Sequence, residues 1–166
     1  QVLKGFARHA TVPVINLETI THPCQELAHI MALQEKFGTD LRGKKYVLTW
    51  TYHPKALNTA VANSALMIAT RFGMDVTLLC PTPDYVLDSR YMDFGRDNAA
   101  ANGGSLAVSH DIAGSYSGAD IVYAKSWGAL PYFGNWDQEK PIREQFKHFI
   151  VDEAKMALTN QGVFSH

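Results

Sequence analysis

Short runs of β-forming residues alternate along this chain with longer helical patterns, and the connections between them are only a few residues long. That alternation predicts an α/β fold: a Rossmann-like open parallel sheet with helices on both faces. The first strand is expected at Thr11–Asn16. Pro23 stands where a helix favours proline, at its first position, and Leu27, Ile30, Met31, Leu33 and Phe37 give an apolar stripe that Gly38 ends. Lys45–Trp50 reads as the second strand. A helix then runs from about Leu57 to Phe72 and is closed by Gly73. Its alanines, Ala60, Ala62, Ala65 and Ala69, predict close packing on the sheet. Asp75–Cys80 is the third strand, and its nearly continuous apolar run implies burial on both faces. A helix over Asp84–Asn102 stops at Gly103-Gly104, and strands at Ser105–Ser109 and Ile121–Ala124 flank a short helix. Beyond Trp127 comes a loop of glycine, proline and aromatics. Helical segments near Glu139–Phe149 and Val151–Leu158 lead to a strand that is just starting at the last residues.

Size and charge narrow the possible functions. At 166 residues the chain fits one main domain and can bury roughly 70% of its unfolded surface. Fifteen basic side chains against sixteen acidic ones give a formal charge of −1, which argues against a nucleic-acid binder that works through a basic face. No apolar run approaches the ~20 residues that span a bilayer, and no signal peptide is recognisable. Two cysteines, Cys24 and Cys80, are too few for a disulfide framework and fit a cytoplasmic location. A chain that begins at Gln1 and stops within Val163-Phe164-Ser165-His166 reads as an excerpt of something longer.

Open parallel sheets bind ligands outside the carboxyl ends of their strands. The polar residues to weigh are therefore Glu18 and His22, Tyr52 to Asn58, Pro81 to Asp84, His110, and Lys125 to Trp127. In Thr21-His22-Pro23-Cys24-Gln25 a histidine caps a proline-started helix. The helix's positive end disfavours an imidazolium there, so a neutral ring can donate one N–H to an oxygen gaining charge. Gln25 adds a donor and an acceptor suited to an amide-like substrate. The same residues also read as a plain helix cap beside a buried Cys24. Lys125, ending a buried strand, can fix a carboxylate, and Glu18 can orient a polar group; a surface salt bridge is the plainer reading of both.

Other chemistry fits less well. His22, Glu26 and His29 stand at i, i+4 and i+7, yet the Glu-x-x-His unit occurs once and HExxH is absent, so no metal is expected. The turn after Trp50 holds no glycine, which argues against a dinucleotide. Ala113–Gly118 lacks the lysine and spacing of a P-loop.

Taken together, His22-Pro23-Cys24-Gln25, the preceding Val12–Asn16, the helix start at Asn58–Ser64 and Gly73-Met74-Asp75 before Pro81 resemble the ornithine and aspartate carbamoyltransferase family. The likeness covers essentially the whole chain. Glu18–Gln25, Thr49–Lys55 and Ala124–Pro131 are most similar to members of that family that act on N-acetylornithine. Ornithine-using members carry an Asp-x-x-x-Ser-Met-Gly segment whose aspartate meets the substrate's α-ammonium. Aligned from Gly118-Ala119-Asp120, that place is held here by Lys125. An acylated α-nitrogen carries no ammonium, and only the α-carboxylate then needs a counter-charge.

The resemblance implies a reaction in which a neutral δ-amine attacks carbamoyl phosphate and an oxyanion forms before phosphate departs. It implies that His22 and Gln25 are catalytic, that His22, Pro23, Cys24 and Gln25 bind carbamoyl phosphate, and that Glu18 and Lys125 bind the acylated ornithine. It implies no cofactor or metal, a cytoplasmic homotrimer, and no nucleic-acid or membrane partner. The family's Ser-x-Arg-Thr-Arg type loop does not occur here, and its His-Cys-Leu-Pro signature would begin at His166. Residues 1–37 are accordingly expected to end the carbamoyl-phosphate domain and supply the interdomain helix. Residues 38–166 are expected to form a truncated amino-acid-substrate domain. Ornithine or N-succinylornithine as substrate, and a non-catalytic Rossmann-like binding domain, are the competing readings.

Overall fold

The computed structural model describes residues 2–166, with helices at Val2–His9 (α1), Pro23–Phe37 (α2), Ala60–Arg71 (α3), Ser89–Asn102 (α4), Ile112–Tyr116 (α5), Trp136–Arg143 (α6) and Glu153–Met156 (α7). Strands lie at Lys45–Trp50 (β1), Asp75–Leu79 (β2), Ser105–Ser109 (β3), Ile121–Lys125 (β4) and Val163–Ser165 (β5). All pair in parallel in the order β3-β2-β1-β4-β5. The chain winds outward from β1 to β3, then returns to lay β4 on the other side of β1. The strand order therefore switches between β1 and β4, where Trp50 pairs with Lys125. A crevice for ligands is expected at the carboxyl end of this switch.

Side chains alternate between the two faces of the sheet. On one face Tyr46 of β1 meets His29 of α2, and on the other Thr49 lies beside Tyr116 of α5. The alanine-rich α3 packs on β1 and β2 and against α2 and α4. Ala62, Ala65 and Ala69 are fully buried there, as expected of small residues that let a helix approach its neighbours closely. Gly95 allows the α3–α4 contact: a Cβ there would lie 2.4 Å from Leu66 Cδ2. Gly103 ends α4 in the left-handed conformation at φ 76°.

Several boundaries differ from the sequence reading for local reasons. Helix α3 starts at Ala60 because Asn58 Oδ1 accepts the Ala60 N–H at 3.0 Å. The expected helix from Asp84 starts at Ser89. Pro83–Tyr85 forms a separate 3-10 turn, and the Asp88 carboxylate caps α4 through the Arg90 N–H. The segment expected to be helical over 139–149 divides into α6 and a 3-10 turn at Glu144–Phe146, and α7 is a single turn.

Thr11–Asn16 is not a strand. Pro13 has no N–H to donate, and every strand of the sheet pairs without this segment, so its Val12 and Ile15 stay 69% and 71% exposed. Glu18 and His22 consequently follow an extended arm and not a sheet strand.

Candidate active site

Helix α2 is positioned by its first turn. His22 is its N-cap, with Pro23 at the first helical position, and His22 Nδ1 accepts the Gln25 N–H at 3.4 Å. The His22 backbone N–H donates to Ser64 Oγ of α3 at 2.7 Å, which ties the cap to the body. Cys24 Sγ donates to the Asn16 carbonyl at 3.7 Å and holds the arm against the same turn.

The cap fixes the histidine's chemistry. With the Nδ1 lone pair engaged, the proton of a neutral ring resides on Nε2. Nε2 lies 3.9 Å from Glu18 Oε2, and the His22 side chain is 23% exposed. Glu18 is held from its other side, where Oε1 accepts from Asn58 Nδ2 at 3.2 Å. Asn58 thus ties down the start of α3 through the Ala60 N–H and steadies Glu18, a role the sequence reading did not assign although it marked the segment.

Gln25 points toward the sheet, where its Nε2 donates to the Tyr123 hydroxyl of β4 at 3.0 Å. That hydroxyl donates in turn to Glu26 Oε1 at 3.1 Å. Lys125 lies two residues beyond Tyr123 and therefore on the same face of the sheet. Its ammonium is close enough to Glu26 to favour that carboxylate electrostatically. Among the described residues Lys125 makes no ion pair. It opens on a hollow of about 320 Å³ lined also by Thr51, Tyr52, His53, Ser126 and His166. Neither His22 nor Glu18 lines that hollow. The structure joins Glu18, His22 and Gln25 around the start of α2, whereas Lys125 lines a separate hollow on the switch and reaches that turn only through its electrostatic effect on Glu26. A larger hollow of about 670 Å³ lies among Asp40, Arg42, Arg71 and Gly103, at the amino ends of the strands, where this fold does not bind ligands.

The loop after Lys125 is rigid for a reason the sequence did not reveal. Arg143 and Glu139 of α6 form a buried pair at 2.6 Å, with Arg143 1% and Glu139 0% exposed. Arg143 donates to Ser126 Oγ and to the Trp127 carbonyl, while Glu139 accepts the Ala129 N–H. Trp127 is buried and donates to the Tyr85 carbonyl, and Trp50 donates to the Trp127 carbonyl. The aromatics of this loop thus belong largely to the core. Phe133, 78% exposed, is the exception.

The metal-like spacing has a different meaning in three dimensions. His29 is 8% exposed, with ring nitrogens facing Tyr46 Oη at 3.3 Å and Ser165 Oγ at 3.2 Å. Burial lowers its pKa to about 4. Glu26 is 1% exposed, and burial raises its pKa to about 7 against the opposing pull of Tyr123 and Lys125.

Comparison with known proteins bears on the family and the fold. The family model described as aspartate/ornithine carbamoyltransferase, Asp/Orn binding domain, matches residues 46–166. N-acetylornithine carbamoyltransferase of Xanthomonas campestris pv. campestris is 78% identical over 100% of this chain and 49% of its own length. The protein of that name from Xylella fastidiosa is 77% identical over 99% of the chain and 49% of its own length. The anabolic ornithine carbamoyltransferase of Pyrococcus furiosus is 33% identical over 91% of the chain and 45% of its own. A crystal structure of acetylornithine transcarbamylase complexed with acetylcitrulline superimposes with a TM-score of 0.96 at 78% identity, over 100% of this chain and 50% of that one. The chain spans about half the length of the curated relatives it matches.

Proposed function

The chain belongs to the aspartate/ornithine carbamoyltransferase family, and we propose that it forms the acceptor-substrate half of an enzyme that carbamoylates the δ-amine of N-acetylornithine for arginine biosynthesis. In this reading residues 1–37 end the carbamoyl-phosphate domain and residues 38–166 bind the amino-acid substrate. The preceding domain carries the phosphate-binding loop. The complete enzyme is a cytoplasmic homotrimer that uses no cofactor. Among the described residues no helix is long and apolar enough to cross a membrane.

The observation that carries the reading is the capped imidazole: His22 accepts at Nδ1 and keeps a donor at Nε2, beside the Glu18 carboxylate. A neutral δ-amine attacks the carbonyl carbon of carbamoyl phosphate, and the carbonyl oxygen gains negative charge. As the tetrahedral adduct collapses, the C–O bond to phosphate breaks and the nitrogen's extra proton leaves with the phosphate. The His22 Nε2–H donates to that oxygen. One such donor contributes about 3–4 kcal/mol to lowering a barrier of this kind. Pro23 and Cys24 shape the turn that seats the carbamoyl phosphate, and the Gln25 carbonyl accepts from the carbamoyl NH₂. Lys125 meets the α-carboxylate of the acceptor, and Glu18 accepts from its acylamide N–H. Orienting two bound reactants supplies much of the remaining acceleration.

The test is product formation by the complete protein supplied with carbamoyl phosphate and, separately, N-acetylornithine, N-succinylornithine or ornithine. Acetylcitrulline formed in preference to citrulline supports the reading, as does negligible turnover by the 166-residue chain alone. Citrulline as the favoured product contradicts the role given to Lys125. No binding of carbamoyl phosphate points to a non-catalytic module.

A further inference from the structure

We propose that Tyr123 and Glu26 are positioning residues that hold the Gln25 amide in the one orientation able to receive a carbamoyl group. The inference rests on the carbamoyl-transfer reading above. A glutamine amide offers donors on one side and an acceptor on the other, and the two sides exchange by a simple flip. The NH₂ of a carbamoyl group needs the acceptor. In the structure the Gln25 Nε2–H is already committed to the Tyr123 hydroxyl, and the hydroxyl's own proton to Glu26 Oε1.

The polarity of this chain is set at its buried end. An ionised carboxylate can only accept, so Tyr123 must donate to it. The phenol oxygen then accepts from Gln25 Nε2, and Gln25 Oε1 is left for the ligand. Glu26 itself is a poor choice for stability. It is 1% exposed, and its Oε2 makes no hydrogen bond although it is fully buried. A buried carboxylate with an unmet oxygen weakens a fold. Dictating the direction of the relay accounts for its place, at the position after Gln25 on the first turn of α2 and opposite Tyr123.

The relay is free to reverse once Glu26 takes up a proton, which ends its restriction to accepting. A protonated Glu26 can donate to Tyr123, the phenol can donate to Gln25 Oε1, and the amide then presents NH₂ to the ligand. The charged and titratable groups around Glu26 are Tyr46 from β1, Tyr123 and Lys125 from β4, and His29 one turn along α2. Arg71 of α3 lines the same cavity of about 380 Å³ as Glu26. With the Glu26 pKa raised to about 7 by burial, the reversal falls near neutral pH.

The experiment compares carbamoyl phosphate with acetyl phosphate, which replaces the NH₂ by a methyl group. Dissociation constants of both are measured by calorimetry on the complete protein. In Tyr123→Phe the preference for carbamoyl phosphate is expected to fall tenfold or more, the equivalent of about 1.4 kcal/mol. A role in packing alone would lower the melting temperature and leave the preference unchanged. In Glu26→Gln the preference becomes independent of pH between about 6 and 8, whereas in the wild type it declines below about 7; this variant carries the test if Tyr123→Phe does not fold. A wild type that binds carbamoyl phosphate, with variants within twofold of its preference, overturns the relay alone. A wild type that does not bind carbamoyl phosphate overturns the functional reading and the relay with it.

Discussion

The arm over residues 2–22 and the sheet body over residues 38–166 treat apolar side chains in opposite ways. In the arm, Val2, Phe6, Val12, Ile15, Leu17 and Ile20 are all more than 60% exposed, and α1 buries no residue. In the body, Leu48, Trp50, Leu66, Leu78 and Ile121 are fully buried. Hydrophobic residues become a core only where the backbone beneath them finds partners: strand for strand in the sheet, sheet for helix above it. Single exposed apolar residues are ordinary, but a succession of them along one segment marks a surface suited to docking. The residues of the candidate site, Glu18 to Gln25, lie where one regime passes into the other. They are fastened to the body by Ser64, Asn58 and Tyr123.

Three substitutions sharpen that contrast. The largest effect is expected in the body. Glu139→Ala leaves the Arg143 guanidinium buried without its counter-charge and should lower unfolding free energy by about 3–5 kcal/mol, read as a shift in urea midpoint. A loss below about 1 kcal/mol would mean that the clamp under the aromatic loop contributes little.

A pH titration comes next, because two buried groups of α2 act with opposite sign. The folded-state pKa of Glu26 is raised from 4.5 to about 7, so the native state binds more protons than the unfolded chain in that window and loses stability as pH rises through it. His29 is lowered from 6.5 to about 4, so the native state binds fewer protons and gains stability as pH rises between those values. The two slopes oppose each other. Glu26→Gln should therefore grow more stable relative to the wild type as pH rises from 4.5 to 7, by a total on the order of 3 kcal/mol. A difference that does not vary with pH would place Glu26 in a wetter setting than the one described.

The smallest effect belongs to the arm. Ile15→Ser in the 166-residue chain should change stability by less than about 0.5 kcal/mol, since the side chain is 71% exposed. In the complete enzyme, where residues 1–37 are proposed to end the carbamoyl-phosphate domain and Ile15 would be covered, the same change should lower stability by about 1.5–3 kcal/mol. Equal effects in both contexts would break the comparison between arm and body.

The same division explains what could be read from the sequence. Lys45–Trp50 and Ser105–Ser109 match their expected bounds because strand pattern and sheet environment agree there. Thr11–Asn16 carries a strand-like pattern, but a pattern does not specify a neighbour, and among the described residues no strand pairs with it. The His22 cap was legible because a helix cap is a local device: proline and the residues around it set the geometry within one turn. Tyr123 and Arg143 were not. Tyr123 meets Glu26 across 97 positions of sequence, and Arg143 reaches His53 across 90. The i, i+4 spacing of Glu139 and Arg143 is common on solvated helices and gave no sign of burial. Glu26 and His29 were noticed for a metal-like spacing, whereas the partners are Tyr123 for Glu26 and Tyr46 and Ser165 for His29.

The central claim is that His22, held at Nδ1, donates from Nε2 to the oxygen that gains charge. Single-turnover formation of acetylcitrulline by His22→Ala in the complete enzyme, at saturating substrates, tests it most directly. The rate should fall by about 10²–10³-fold while affinity for carbamoyl phosphate changes less than tenfold, as for a donor whose contribution is made in the transition state. A rate within about threefold of the wild type would contradict the claim.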